Sequence, residues 1–108
     1  MPSILIFGGS GYIGTKLAEK LLSDGCTVYI ADIKESPLKN TEGVIFKMVD
    51  VRNPIPSNII NHPIDWIFNF AAIHREPGHE SHEYYTTNLK GAENICAFAE
   101  KEIGRAHV

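Results

Sequence analysis

Seven residues near the N-terminus, Gly8-Gly9-Ser10-Gly11-Tyr12-Ile13-Gly14, form the strongest chemical pattern in the sequence. They satisfy G-x-G-x-x-G as Gly9, Gly11 and Gly14, and G-x-x-G-x-x-G as Gly8, Gly11 and Gly14. The run follows a short apolar stretch and opens a segment of helical periodicity, the setting in which such glycines cradle a pyrophosphate. The turn needs a residue without Cβ, the phosphates must reach the backbone, and helix and strand must pack closely. The first helical turn then presents N–H groups and the positive end of the helix dipole to an anion.

Asp32 stands 18 residues after Gly14 and is followed by Ile33 and Lys34. A carboxylate at that spacing accepts hydrogen bonds from ribose hydroxyls and repels a 2′-phosphate, which favours NAD over NADP. The plainer alternative for Asp32 is an N-cap or turn aspartate. Lys34 pulls in the opposite direction, since its charge softens the discrimination against a 2′-phosphate.

The elements that must position these groups follow from periodicity. Ser3–Phe7 is rich in β-branched and aromatic residues and reads as a strand buried on both faces. From Tyr12 to Ser23, Ile13, Leu17, Leu21 and Leu22 recur at helical spacing, and Asp24-Gly25 closes the helix. Thr27–Ala31 and Val44–Val49 read as the second and third strands, joined by a polar surface connection over Lys34–Gly43. Prolines between Asn53 and Pro63 allow only a short helix around Ile59. Asp65–Phe70 is the fourth strand, Ala71–Ser81 a loop, and His82–Lys101 a helix. On that helix Leu89, Ile95, Cys96 and Ala99 are expected to face inward, with Tyr85 and Ala92 beside them.

Such alternation predicts an α/β doubly wound parallel sheet, a Rossmann fold, with right-handed crossovers giving the strand order 3-2-1-4. A fourth strand this apolar is expected to have a further neighbour, so the sequence reads as the N-terminal part of a larger domain, truncated after about residue 102 and poorly folded alone. The last six residues, Ile103 to Val108, are what ATC GGA AGA GCA CAC GTC encodes, a string that resembles the start of a sequencing adapter. They are expected to be a non-native tail; the other reading is a natural helix end capped by Gly104.

Composition excludes several classes. The 108 residues are 44% hydrophobic and 21% charged with a net charge of −3, an ordinary globular balance without the basic run of a nucleic-acid surface. No stretch approaches the ~18 apolar residues of a membrane span, and the N-terminus lacks a signal peptide, so a cytoplasmic location is expected. Cys26 and Cys96 fit no metal spacing and read as reduced, buried thiols.

The runs ILIFGGSGYIG, ADIK, MVDVRN, FNFAAIHREP and EYYTTNLKGAENI together resemble the extended short-chain dehydrogenase/reductase family, in its NAD-dependent sugar-nucleotide epimerase and dehydratase branch. The likeness covers nearly all of residues 3–102. It implies that Asp50 and Val51 meet the adenine, with Asp50 accepting from its amino group. It also implies that Phe70, Ala71 and Ala72 form a small-residue turn beside the cofactor, and that Asn88 lies near the active site. Asn94, six residues on, is disfavoured inside a helix and predicts a tertiary partner, while Gly91 predicts a close helix–sheet approach.

The implied activity moves a hydride between a carbon of a nucleotide sugar and the nicotinamide, in a protein whose full-length form is expected to be a homodimer. A non-catalytic NAD(P) sensor and a reductase of a non-sugar substrate are the alternatives. The family's catalytic Tyr-x-x-x-Lys is expected beyond Lys101, because Tyr84 and Tyr85 are followed four residues on by Asn88 and Leu89. No catalytic residue is therefore assigned, and the chain alone is expected to be inactive. His74, Glu76, His79, Glu80, His82 and Glu83 match no zinc spacing, so no metal site is assigned. Arg75 and His74 either contact phosphates or belong to a solvated loop.

Overall fold

Alternation along the first strand decides the architecture. In the computed structural model, which describes residues 2–71 and 81–102 (the side chains of 81–87 aside), β1 spans Ser3–Phe7. Its Leu5 and Phe7 enter one core cluster while Ile4 and Ile6 enter another, so successive side chains serve opposite faces of the sheet. A strand buried on both faces must lie inside a sheet covered by helices on each side.

The helix α1 (Tyr12–Ser23) covers one face, β2 (Thr27–Asp32) and β3 (Val44–Met48) extend the sheet one way, and β4 (Trp66–Asn69) extends it the other. The helix α2 (Ser81–Lys101) covers the second face. All pairings are parallel, with Ile4 opposite both Val28 and Trp66, and Val28 opposite Val44. The resulting order β3-β2-β1-β4 is the doubly wound arrangement that the alternation predicts.

On the α1 side Ile4, Ile6, Ala18, Val28 and Ile30 pack with Leu17, Leu21 and Leu22 around them. On the α2 side Leu5, Phe7, Tyr29 and Ala31 meet Ile64, Ile67, Ile95 and Phe98, and the Phe7 and Phe98 rings meet edge to face at 6.0 Å. Fully burying a side chain of this size contributes about 1.5–3 kcal/mol. The connection after β2 is more than surface: Ser36 is buried and Leu38 packs against the α1-side core. A single 3-10 turn, Ser57–Ile59, stands where a short helix is expected, flanked by the buried Ile55 and Ile60.

Three expectations about burial are corrected. Cys26 is half-buried and Cys96 is exposed. Along α2 Ile95 and Ala99 face the core as expected, joined by Gly91, Asn94 and Phe98 and, just past the helix end, Glu102, whereas Leu89 points outward. Ile13 is likewise exposed, so the buried line of α1 runs through Gly14 and Ala18. Gly14 and Ala18 in α1 and Gly91 and Asn94 in α2 thus share the buried faces, and a pattern of large apolar residues misses these.

Candidate functional site

Because every strand is parallel, the carboxyl ends of β1, β2, β3 and β4 share one edge of the sheet. Gly8, Asp32, Asp50 and Phe70 all lie at or just past these ends. Ligands of open α/β sheets bind at this edge.

The glycine turn is built by close approach. Gly8 has φ +74°, and a Cβ there would stand 2.5 Å from the backbone of Phe70 and Ala71. Its N–H donates to the Ala31 carbonyl (2.8 Å), and the Phe70 N–H donates to the Phe7 carbonyl (2.7 Å), so the turn is tied to both neighbouring strand ends. A Cβ on Gly14 would lie 2.6 Å from the Gly9 Cα, and one on Gly9 2.8 Å from an Ile30 methyl. Gly11 differs: the nearest atom to its Cβ position is the Gly8 carbonyl at 3.8 Å, so this face of the turn is open.

Gly11 is also the N-cap of α1, and no side chain caps the helix. The leading N–H groups of α1, which have no acceptor within the helix, therefore surround an open, Cβ-free surface. That cradle fits a pyrophosphate, with Gly9, Ser10, Gly11, Tyr12 and Ile13 supplying backbone and the dipole supplying positive potential.

Asp32 is joined to this turn directly. One carboxylate oxygen accepts from the Ser10 N–H at 3.0 Å and the other from the Lys34 N–H at 3.1 Å, while the Ser10 hydroxyl donates to the Lys34 carbonyl at 2.6 Å. Each oxygen has further acceptor capacity, so the carboxylate is oriented with lone pairs to spare. Ile33 beside it is more than half exposed.

At the end of β3, Asp50 is gripped by Arg52. The guanidinium Nε approaches both carboxylate oxygens at 2.9 and 3.1 Å, a terminal nitrogen reaches one at 2.7 Å, and the Arg52 N–H adds a bond of 3.0 Å. This charged partner holds the Asp50 carboxyl below the usual aspartate range. Val51 is half-buried and packs on the α2-side core. The Asn94 side-chain amide donates to the Val51 carbonyl at 2.8 Å, supplying the tertiary partner expected of a mid-helix asparagine. Gly91 serves the same contact, since its Cβ would lie 3.0 Å from a Val51 methyl. The close approach is thus to the turn after β3, rather than to the sheet.

Phe70 is partly exposed, and the Ala71 N–H is bonded to the Asn69 side chain at 2.9 Å. Asn88 is half-buried on α2. Ala72, the His74–Glu80 group and the tail from Ile103 lie outside the described residues, as do the side chains of His82 and Glu83. Among the described residues no three metal-binding side chains converge, and no helix is long and apolar enough to cross a membrane.

Two features escaped sequence reasoning. Arg52 carried no assignment, although an aspartate two residues before an arginine in a turn signals such a pair. Tyr12 and Lys16 do have Tyr-x-x-x-Lys spacing, on the first turns of α1. The Lys16 ammonium sits 5.7 Å above the Tyr12 ring and also pairs with Glu19 at 3.6 Å, both on exposed surface. This is a cation–π contact with the ring and belongs to the glycine-turn helix.

Comparison with known proteins agrees with this geometry. Residues 4–107 match the NAD dependent epimerase/dehydratase family. The bifunctional protein GAL10 of Candida maltosa is 31% identical over 110 residues, covering 85% of this chain and 71% of that protein. A UDP-glucose 4-epimerase of Rickettsia conorii is 28% identical, covering 90% of this chain and 32% of its own. Among solved structures, the UDP-glucose 4-epimerase of Bifidobacterium longum in complex with NAD+ and UDP is similar, with a TM-score of 0.74 and 25% identity over 93% of this chain and 34% of the enzyme. The chain thus spans about a third of the length of the last two proteins. With its glycine turn, acidic β2 end and strand order in place, the chain belongs to the NAD dependent epimerase/dehydratase family, and the dinucleotide of that family is NAD.

Proposed function

We propose that the chain is the cofactor-binding portion of an NAD-dependent sugar-nucleotide epimerase or dehydratase working in the cytoplasm. The observation that carries this reading is the hydrogen bond from the Ser10 N–H to the Asp32 carboxylate. It fixes a ribose-type acceptor beside a Cβ-free turn at the N-terminus of α1, so that sugar and phosphates have adjacent receptors. Asp32 accepts from the ribose hydroxyls, and Gly8 to Gly14 receive the pyrophosphate. Ile33 and Lys34 border the ribose, Asp50 and Val51 take the adenine, and Phe70, Ala71, Ala72 and Asn88 line the path toward the nicotinamide.

Bound NAD supplies the hydride acceptor. The chain's own residues hold and orient it: the Asp32 carboxylate stays an acceptor, the backbone of residues 9–13 neutralises phosphate charge, and Gly11 leaves room for close approach. The sugar and the reacting proton donor are met by segments outside this portion. The relatives are named for UDP-glucose epimerisation, which supports a nucleotide sugar as the substrate.

Titration of the chain with NAD and NADP, followed by calorimetry, tests the reading. NAD is expected to bind at least tenfold more tightly than NADP, and Asp32→Asn to erase most of that difference. Equal binding of the two, or a preference for NADP, sinks the assignment.

A further inference from the structure

The turn from Val49 to Asn53 has no sheet ladder beyond its start, because β3 ends at Met48. It is held instead by side chains. Arg52 grips Asp50, the Asn53 N–H closes the turn on the Asp50 carbonyl at 3.1 Å, and Asn94 reaches from α2, 43 positions away, to the Val51 carbonyl. Asn94 is a buried polar residue in a helix, where an apolar side chain such as leucine favours the helix more and needs no hydrogen-bond partner. Its amide donates to one backbone group of this turn. Gly91, three residues earlier on the same face, removes the side chain that would push Val51 away.

We propose that Asn94 is a positioning residue for adenine recognition: by holding the Val51 carbonyl it sets the turn so that the Asp50 carboxylate meets the 6-amino group of the cofactor. This rests on the reading above, in which Asp50 and Val51 receive the adenine. The contact runs through the backbone between the two residues, so Asn94 acts at one peptide's remove from the base. A shift of the Val51 carbonyl swings the adjoining peptide and with it the Asp50 side chain.

The test compares NAD with its hypoxanthine analogue, in which a carbonyl replaces the 6-amino group. The wild-type chain is expected to prefer NAD by about tenfold, the worth of one good hydrogen bond. Asn94→Ala and, separately, Gly91→Ala are each expected to reduce that preference to about twofold or less, by weakening NAD while leaving the analogue nearly unchanged. A merely structural role would weaken both dinucleotides together and preserve the ratio, and that result overturns the proposal.

A second measurement needs no variant. The Asn94 side-chain amide resonances of the wild-type chain should move on adding NAD and move less on adding the analogue; identical shifts, or none, overturn the proposal. Asp50→Asn separates the two levels of the argument. If the wild-type preference vanishes in Asp50→Asn but survives in Asn94→Ala, only the positioning role is wrong. If the wild type shows no preference, the adenine assignment falls and the role of Asn94 falls with it.

Discussion

The two turns at the carboxyl edge of the sheet are held in opposite ways. The turn after β1 is made by leaving side chains out: Gly8, Gly9 and Gly14 let backbone meet backbone at distances no Cβ allows. The turn after β3 is made by putting side chains in, with Arg52 on Asp50 and Asn94 on Val51. Steric closeness has no tolerance and no dependence on solvent, whereas bonds between polar groups can stretch, hydrate and titrate. The first turn is therefore expected to fail completely when altered, and the second by degrees.

Gly8→Ala gives the largest effect on stability. The new methyl would meet the backbone of Phe70 and Ala71 at 2.5 Å with φ at +74°, where the Phe70 N–H is bonded to the Phe7 carbonyl and the Ala71 N–H to the Asn69 side chain, so neither has room to retreat. A loss of about 4 kcal/mol or more is expected, enough to unfold a small domain, read by denaturant titration. Gly14→Ala follows at about 2–3 kcal/mol, since its clash with the Gly9 Cα is relieved only by moving the helix from the turn. If either variant melts within a degree of the wild type, the turn is not sterically locked and the contrast between the two turns disappears.

How much of this was legible follows the same division. Gly8, Gly11 and Gly14 could be read because their constraint is local, and a missing Cβ shows in the sequence itself. The strand order could be read because strands alternate with helices or crossovers along the chain and right-handed crossovers then leave 3-2-1-4, while the apolar run Ile4 to Phe7 demands cover on both faces. The inward face of α2 could be read only in part, at Ile95 and Ala99. It is set by Gly91 and Asn94 against the turn after β3, and a search for apolar periodicity gives no weight to a glycine or an asparagine. Leu89 and Cys96 consequently read as buried, although both are exposed. The tertiary partner of Asn94 was foreseeable, but its identity was not, since no local rule pairs residues 43 apart.

Asp32→Asn lies between the two extremes. The wild-type carboxylate offers one oxygen to each of two N–H groups, whereas an amide has a single oxygen and must turn its NH2 toward the other donor. A destabilisation of about 1–2 kcal/mol is expected by denaturation. Gly11→Ala sharpens the comparison within the glycine turn itself. Its methyl finds open space and an extended backbone at φ −77°, so stability should change by no more than about 0.5 kcal/mol. NAD affinity should nonetheless fall by about tenfold or more, because the methyl occupies the face the phosphates approach. A Gly11→Ala chain that binds NAD normally would move the phosphate site elsewhere.

The smallest effect belongs to the Asp50–Arg52 pair, which is partly exposed and screened by salt. Its signature is pH. Arg52 holds the Asp50 carboxyl below its ordinary value of 3.8, so the folded chain gives up this proton more readily than the unfolded one. The pair's contribution is therefore fully present above that ordinary value and is lost as the pH falls through the lower folded value. Arg52→Gln should flatten this acid slope and leave stability near neutrality almost unchanged at high salt. The glycine turn does touch one carboxylate, Asp32, through the Ser10 N–H, but it is locked first by the backbone contacts of Gly8, Gly9 and Gly14, which do not titrate. Acid should therefore loosen the turn after β3 while the glycine turn holds, and amide exchange at Val51 and at Gly9 would separate the two. Equal acid sensitivity at both positions would mean that the sheet edge opens as one unit, with no independent role for the side-chain grip.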